Sequence, residues 1–204
     1  MSKPKIAVII GSTRAGRFAD KPAEWIVKIA NSRGDVEVEV LDLKDYPMPF
    51  FAEATSPAWG VSQDDVARKW QAKLAGFDGF IFTAAEYNHA PTAVLKNALD
   101  YAGSQWYRKP AGFIGYGGIG GGRAVEHLRM IAVELQMAPV KAAVHIGWSD
   151  YLPVAQGQKK LEDLDHLNQN ATALLDDVVW WAKALRAARE AEAVTAQALS
   201  LIHI

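Results

Sequence analysis

Half of the 204 residues are hydrophobic and the formal net charge is −1, which predicts one sizeable domain with a complete core. This charge balance gives no basic surface for nucleic acid, and no apolar run is long enough to span a membrane. There is no cysteine, which excludes disulfides, thiolate metal ligands and a cysteine nucleophile. A predicted strand from Lys5 leaves no room for a signal peptide, and we expect a cytoplasmic protein.

Strands and helices are predicted to alternate along the chain. Short apolar runs predict strands at 5–10, 36–43, 79–84, 110–116 and 140–146, the second with an edge pattern and the third fully buried. Helical spacing predicts helices at 18–32, 63–75, 91–102, 121–137 (with a preceding loop) and 160–192, with Pro91 at a first helical position. Residues 147–159 are predicted to form a loop. The alternation predicts an α/β fold, an open five-stranded parallel sheet with helices on both faces.

The loop of sequence GSTRAGR, residues 11–17, joins the first predicted strand to the first predicted helix. Free N–H groups at a helix start bind anions, and the hydroxyls of Ser12 and Thr13 with the guanidinium of Arg14 or Arg17 can complete a phosphate site. Neither the GxxxxGK[ST] nor the GxGxxG spacing is present. Hydroxyls in place of glycines favour one terminal phosphate, and the alternative is an ordinary capped turn.

Two further loops follow the third and fourth predicted strands. Tyr87 offers an aromatic face and Asn88 an amide, while Glu86 is interpreted as a cap or backbone partner and His89 as a solvated residue. Five of the six residues 117–122 are glycine, which lets backbone amides approach a ligand closely, unless the segment is only a flexible turn. Loops that follow parallel strands meet at one sheet edge, so the three loops predict a site for a mononucleotide with a planar ring, best fitted by FMN.

On these residues the chain resembles the NAD(P)H-dependent FMN reductase family, a flavodoxin-like group that includes quinone and chromate reductases and some azoreductases. The resemblance is carried by GSTR with GRF at residues 11–18, by EYN at 86–88 with LKNALDY at 95–101, and by the glycines and arginine of 117–123. It covers nearly the whole chain up to Ile146. Ala85 and Ala19 depart from the proline and asparagine that the family usually carries.

The resemblance implies strand order 2-1-3-4-5, one FMN per subunit, NADPH or NADH as co-substrate, and a homodimer or homotetramer with FMN near the interface. It implies that the loop of residues 11–17, called the phosphate loop below, holds the phosphate through Ser12, Arg14 and Arg17, together with Phe18. It also implies that residues 86–88 contact the ribityl chain and ring, and that Gly118 meets the pyrimidine edge. The segment 45–51 resembles one that approaches a neighbouring subunit's flavin. The expected cofactor-binding residues are Ser12, Thr13, Arg14, Gly16, Arg17, Phe18, Ala85, Glu86, Tyr87, Asn88, Tyr116, Gly117, Gly118, Ile119, Gly120 and Arg123.

These observations lead to the hypothesis of an FMN-dependent oxidoreductase that passes hydride from NAD(P)H to a quinone, free flavin or similar small acceptor by a ping-pong mechanism. The flavin carries the chemistry, so neither a catalytic residue nor a metal ligand is assigned, and Tyr116 and Arg123 are candidates for neutralising reduced flavin. The alternatives are a flavin-binding electron carrier or regulatory module that does not oxidise NAD(P)H, and a nucleotide-binding protein without flavin. Residues 1–192 are predicted to form one domain, and 193–204 a tail that is disordered or at an interface.

Overall fold

Five parallel strands form the sheet in this computed structural model, which describes residues 2–202, with side chains described to residue 194. The strands are β1 (Lys5–Ile10), β2 (Glu37–Asp42), β3 (Gly79–Ala85), β4 (Pro110–Tyr116) and β5 (Ala138–Ile146). Their order is β2-β1-β3-β4-β5, which confirms the predicted flavodoxin-like topology. Every crossover therefore delivers the loop after a strand to the same carboxyl-terminal edge.

Burial follows position in the sheet. β3 and β4 are buried along their whole length because helices cover both faces, whereas β2, at the edge, is exposed or half-buried except at Leu41. β1 and β3 pair in register from Ile6 with Gly79 to Ile10 with Thr83. The pairing of β4 with β5 shifts between Ala111 and Phe113.

Six helices flank the sheet: α1 (Asp20–Arg33), α2 (Asp65–Ala75), α3 (Ala93–Asp100), α4 (Gly122–Glu134), α5 (Trp148–Ala155) and α6 (Asp165–Ile202). Residues of α1, α5 and α6 pack on one face, in a core that contains Trp25 and Leu174. Residues of α2, α3 and α4 pack on the other, around Trp70 and Trp106. The two cores fix the strand ends that carry the site.

Two sequence predictions of helices are wrong. Residues 147–159 were expected to form a loop, but α5 occupies Trp148–Ala155 despite Pro153, because Val154 is buried in the core of that face. Pro91 does not begin α3. Thr92 is its N-cap, and the Thr92 hydroxyl accepts a hydrogen bond from the Leu95 N–H at 3.2 Å and donates one to the Gly11 carbonyl at 2.5 Å.

The last helix is longer than predicted at its carboxyl end. A short 3₁₀ turn at Leu161–Asp163 precedes α6, and the helical backbone continues to Ile202. The predicted tail, 193–204, is thus helical in backbone to Ile202, and its last two residues lie outside the described residues. Within the part of the chain that the structure describes, no helix is long and apolar enough to cross a membrane.

Candidate functional site

Four loops meet at the carboxyl-terminal edge of the sheet, one after each of β1, β3, β4 and β5. The first leaves β1 at Gly11, where close packing excludes any side chain. A Cβ at this position would lie 2.4 Å from the Thr83 carbonyl oxygen and 2.9 Å from Leu95. Gly11 thereby brings the phosphate loop directly against the end of β3.

Arg17 fixes the conformation of this loop through hydrogen bonds from its side chain. Its five N–H groups donate to the Ser12 carbonyl and to the carboxylates of Asp20 and Asp42, at 2.5–2.8 Å. The hydrogen bond to Asp42 is the main cause of a raised pKa for Arg17. Burial is the largest single influence on Asp42 and raises its pKa, but the hydrogen bonds from Arg17 and the Lys44 N–H together with the charges of both residues lower the net pKa. With its side chain 5% exposed and every donor occupied, Arg17 does not support the predicted direct contact with a phosphate.

Residues 13–16 are the exposed part of the loop, and they include the cation Arg14. Gly16 takes a left-handed conformation (φ 64°), and the Arg17 N–H donates to the Arg14 carbonyl at 3.2 Å, which closes a reverse turn. The Arg14 guanidinium is exposed and has no ion pair within residues 2–194. Arg14, with the hydroxyl of Thr13 beside it, is therefore available to an anionic ligand.

Phe18, Tyr116 and Ala85 are part of the core rather than of the site surface. Phe18 packs on Tyr116 at a ring separation of 5.3 Å and on Tyr151 at 4.5 Å. Burial raises the pKa of Tyr116 far above its ordinary value, so the phenol stays neutral. Ala85 is buried at the end of β3. The structure does not support predicted side-chain contacts of these three residues with a ligand, because apolar neighbours enclose them.

The loop after β3 is a tight turn that projects polar side chains. Tyr87 and Ala90 exchange backbone hydrogen bonds at 2.9 and 3.1 Å. Asn88 and His89 between them both have positive φ, at 49° and 70°, as a hairpin turn of the I′ type requires. Residues other than glycine rarely adopt a positive φ, and backbone strain of this kind is concentrated at binding sites. The Tyr87 hydroxyl lies 3.3 Å from the Ser12 hydroxyl, which joins this turn to the phosphate loop.

Glu86 fixes the start of α4, as the cap interpretation anticipated. Its buried carboxylate accepts a hydrogen bond from the Arg123 backbone N–H at 3.0 Å. The Arg123 Nε lies 2.7 Å from the same carboxylate, yet the angle is poor, and this buried Nε–H has no hydrogen-bond acceptor within the described part of the chain. The Arg123 Nη1 is 2.5 Å from His89 Nε2. Arg123 is thus held in place by two neighbouring loops with one buried donor left open.

The glycine-rich loop after β4 contains two kinds of glycine. Gly120 and Gly121 have φ near 70°, and a Cβ at Gly121 would lie 2.5 Å from the Tyr116 nitrogen. These glycines are required by backbone packing. Gly118 differs, because a Cβ there would meet no atom within 4 Å, and Ile119 beside it is exposed. The open space over Gly118 is where a flat ligand edge can approach the backbone.

The fourth loop, after β5, is short, and Trp148 of α5 was not among the predicted site residues because 147–159 was predicted to be entirely loop. Trp148 begins α5 two residues after β5 ends and is 56% exposed at the same edge. Its ring stacks on Tyr151 at 5.4 Å and 15°. In the sequence, a tryptophan directly after a predicted strand was the signal that could have indicated a site residue here.

A cleft of 540 Å³ opens beside the phosphate loop. Its walls are residues 12–14, the segment 48–50, Tyr87 and the start of α3. Asn97 of α3 holds that segment, because its amide donates to the Pro49 carbonyl at 2.8 Å and accepts from the Phe51 N–H at 2.9 Å. Phe50 at the lip is 81% exposed.

The residues at this edge fit FMN. Arg14 and Thr13 suit a phosphate, and the open backbone over Gly118 suits a planar ring. Among the described residues, no group of three or more His, Asp or Glu side chains is arranged to hold a metal ion.

Comparison with known proteins shows the family of this chain. The sequence family described as NADPH-dependent FMN reductase matches residues 4–149. The chain is 34% identical over 145 residues to an NAD(P)H-dependent FMN reductase of Schizosaccharomyces pombe, covering 69% of this chain and 72% of that protein. It is 33% identical over 140 residues to a 2-hydroxy-1,4-benzoquinone reductase of a Burkholderia species, covering 65% and 72%.

The fold also has a close match among solved structures. The flavoenzyme FerB, an NAD(P)H:(acceptor) oxidoreductase from Paracoccus denitrificans, superposes with a TM-score of 0.69 at 22% identity, covering 86% of this chain and 97% of that one.

Proposed function

Because the chain belongs to the NADPH-dependent FMN reductase family, we propose that the four loops at the carboxyl-terminal edge bind FMN and serve NAD(P)H-dependent reduction of a quinone or similar acceptor. The observation that carries this proposal is that the exposed Thr13 and Arg14, the left-handed turn at Asn88 and His89, and the open backbone at Gly118 lie on loops at one edge of the sheet. The protein is an oxidoreductase with FMN as its cofactor.

In this proposal the phosphate lies on the exposed part of the first loop. Arg14 supplies the charge, while the hydroxyls of Ser12 and Thr13 and the left-handed turn at Gly16 supply hydrogen-bonding groups. Arg17 contributes indirectly by fixing the Ser12 carbonyl and hence the loop. A phosphate that contacts an exposed guanidinium binds with an affinity that depends on ionic strength.

The flavin ring is assigned to the space between Tyr87, Asn88 and the backbone of 117–120. Gly118 and Ile119 would offer backbone groups to its polar edge. Glu86 and His89 hold the guanidinium of Arg123, so its positive charge is fixed close to the ring. A fixed cation beside a group that gains negative charge on reduction favours the reduced state.

When bound, FMN supplies two-electron chemistry, accepting hydride from NADPH or NADH and then reducing the acceptor in a ping-pong cycle. The residues of this chain bind and orient the reactants, and none is required as an acid or base. The cleft of 540 Å³ beside Tyr87 is a site for the acceptor, since the 48–50 segment and α3 give it apolar walls. A quinone suits such walls, and the Burkholderia relative is named for reduction of a benzoquinone.

We further propose a cytoplasmic homodimer or homotetramer. Phe50 is almost fully exposed at the lip of the cleft, on the segment expected to approach a second subunit's flavin. A second subunit would cover this ring.

An absorbance spectrum of the purified protein with FMN, recorded before and after anaerobic NADPH, tests the function. We expect flavin bands that bleach with NADPH and return when a benzoquinone is added. Bands that persist with both NADPH and NADH would contradict the reductase and leave an electron carrier. The Arg123→Lys variant keeps the charge but removes Nε, and we expect it to bind FMN more weakly.

A further inference from the structure

A second cleft, of 350 Å³, lies on the α1 side of the molecule, away from the four loops. Its floor is apolar, formed by Trp25, Val154 and Leu161. Its rim carries the charged residues Lys21, Glu24, Lys28, Lys159, Lys160 and Glu162. We refer to it as the lysine cleft.

The charge of the lysine cleft is positive in a chain whose net charge is −1. Lys28 and Glu162 neutralise each other across the cleft with an ion pair at 3.0 Å. The other three lysines have no ion pair within residues 2–194, and the rim carboxylates near them are Glu24 and, beside Lys160, the already paired Glu162. Three unpaired ammonium groups around an apolar floor suit a ligand that has both a dianionic group and a flat apolar part.

The position of the lysine cleft connects it with the site. Val154 on its floor belongs to α5, the helix that begins at the exposed Trp148, and six residues of helix span about 9 Å. At the other end, the Lys21 N–H donates to the carbonyl of Phe18, where the phosphate loop ends, at 3.0 Å. Tyr151 packs on Phe18 and stacks on Trp148. The exposed residues of α5, which include Trp148 and Leu152, therefore lie between the carboxyl-terminal edge and the unpaired lysines.

We propose that the lysine cleft binds the 2′-phosphate of NADPH, with the exposed ring of Trp148 stacking on the adenine. This inference rests on the proposed function, and it specifies which pyridine nucleotide the enzyme prefers. NADPH and NADH differ only in this phosphate, so lysines that contact it separate the two co-substrates. Trp148 would contact the adenine, which NADPH and NADH both contain.

The test compares kcat/KM for NADPH and NADH in the FMN-loaded protein and in the triple variant Lys21→Ala/Lys159→Ala/Lys160→Ala. We expect the ratio of the two values, NADPH over NADH, to fall by about tenfold or more, because charge-assisted contacts to the phosphate are lost. The matched control removes three exposed lysines elsewhere, as Lys3→Ala/Lys69→Ala/Lys141→Ala, and should leave the ratio unchanged. Trp148→Ala should raise the KM of both nucleotides and leave their ratio as it is.

Calorimetric titration gives a readout that does not depend on turnover. Adenosine 2′,5′-bisphosphate should bind the native protein more tightly than ADP, and the cleft variant should lose that difference. An unchanged ratio in the cleft variant, or equal binding of both adenosine ligands and inorganic phosphate to native protein, would overturn the proposal. If neither nucleotide reduces the flavin, the proposed function fails. The titration still tests the lysine cleft in that case, because it requires no electron transfer.

Discussion

At the amino-terminal edge of the sheet charged groups are paired around one carboxylate, whereas at the carboxyl-terminal edge cationic donors remain open. Asp78 accepts hydrogen bonds from the Lys5 N–H at 3.0 Å and from Arg186 and Arg189 of α6 at 3.2 and 3.1 Å. At the opposite edge Arg14 is exposed and has no ion pair among residues 2–194. The charged groups at the amino-terminal edge stabilise the fold, and those at the carboxyl-terminal edge are available to bind a ligand.

The carboxyl-terminal edge itself contains fixed and open groups side by side. Arg17 is saturated where Arg14 is free, and Gly121 is packed against backbone where Gly118 has open space. Each pair has the same residue type within a few positions of sequence, so substitutions can separate a role in folding from a role in binding.

The largest effect is expected from the glycine pair. Gly121→Ala should lower the free energy of unfolding by about 3 kcal/mol, since the residue has φ 71° and the new Cβ would lie 2.5 Å from the Tyr116 nitrogen. Gly118→Ala should change stability by less than about 0.5 kcal/mol but weaken FMN binding, because its methyl group enters the space assigned to the ring. Urea unfolding and FMN fluorescence titration measure the two quantities. Equal stability of the two variants would refute the distinction.

The arginine pair comes next. Arg17→Ala should cost about 2 kcal/mol or more, because it leaves the carboxylates of Asp20 and Asp42 without their partner, and their partial exposure reduces the penalty below that of a fully buried pair. Arg14→Ala should leave stability nearly unchanged and raise the Kd for FMN, most at low salt. The outcome that would contradict this is loss of FMN affinity in Arg17→Ala without any loss of stability.

At the amino-terminal edge we expect a smaller loss. Asp78→Asn keeps the shape of the side chain but removes the charge that Arg186 and Arg189 share, and it should lower stability by about 1–2 kcal/mol. Asp65→Asn is the control, since Asp65 forms an exposed ion pair within one helix and should matter by less than about 0.5 kcal/mol. Urea unfolding of both variants would show whether the network around Asp78 stabilises the fold.

Local patterns in the sequence predicted most of the fold. β1 and β4 begin and end at the predicted residues, because each is an apolar run with polar residues or glycine at its ends. α5 was missed because Gly147, Pro153 and Gly157 are typical of loops, whereas the helix is stabilised by burial of Val154 and by packing of Tyr151 on the distant Phe18. Residues whose environment is local could be assigned, whereas α5 depends on tertiary packing.

The same distinction explains the site. The three loops were found from sequence because polar and glycine residues directly follow strands. The role of Arg17 was not found, since its partner Asp42 is 25 residues away and meets it only after β2 pairs with β1. Phe18 was expected at the phosphate, but Tyr116 and Tyr151 enclose it in the folded chain. The core or site position of an aromatic or cationic side chain depends on partners distant in sequence.

The smallest effect concerns Lys109, a buried lysine at the otherwise paired amino-terminal edge. Its ammonium group donates to the Leu74 carbonyl at 3.3 Å, and no carboxylate within residues 2–194 forms an ion pair with it. Burial, with a smaller contribution from the charge of Arg189 and against an opposing effect of Asp78, lowers the pKa of Lys109 to about 8. Lys109→Met should therefore raise the free energy of unfolding at pH 7, by about 1–2 kcal/mol after the lost hydrogen bond is subtracted. The Leu74 carbonyl keeps its bond from the Phe77 N–H.

The pH dependence of that gain identifies its cause. Below pH 8 the lysine is charged in both the folded and unfolded states, so the native protein carries the full desolvation penalty. Between pH 8 and the ordinary lysine pKa of about 10.4 the folded state releases its proton first, and the penalty declines. The advantage of Lys109→Met over the native protein should thus be constant at pH 6–7.5 and shrink progressively towards pH 10, in urea unfolding curves recorded across that range. The exposed Lys69→Met should show no such trend. A stability difference that stays constant to pH 10 would mean that the methionine improves packing. The charge of Lys109 would then not destabilise the amino-terminal edge.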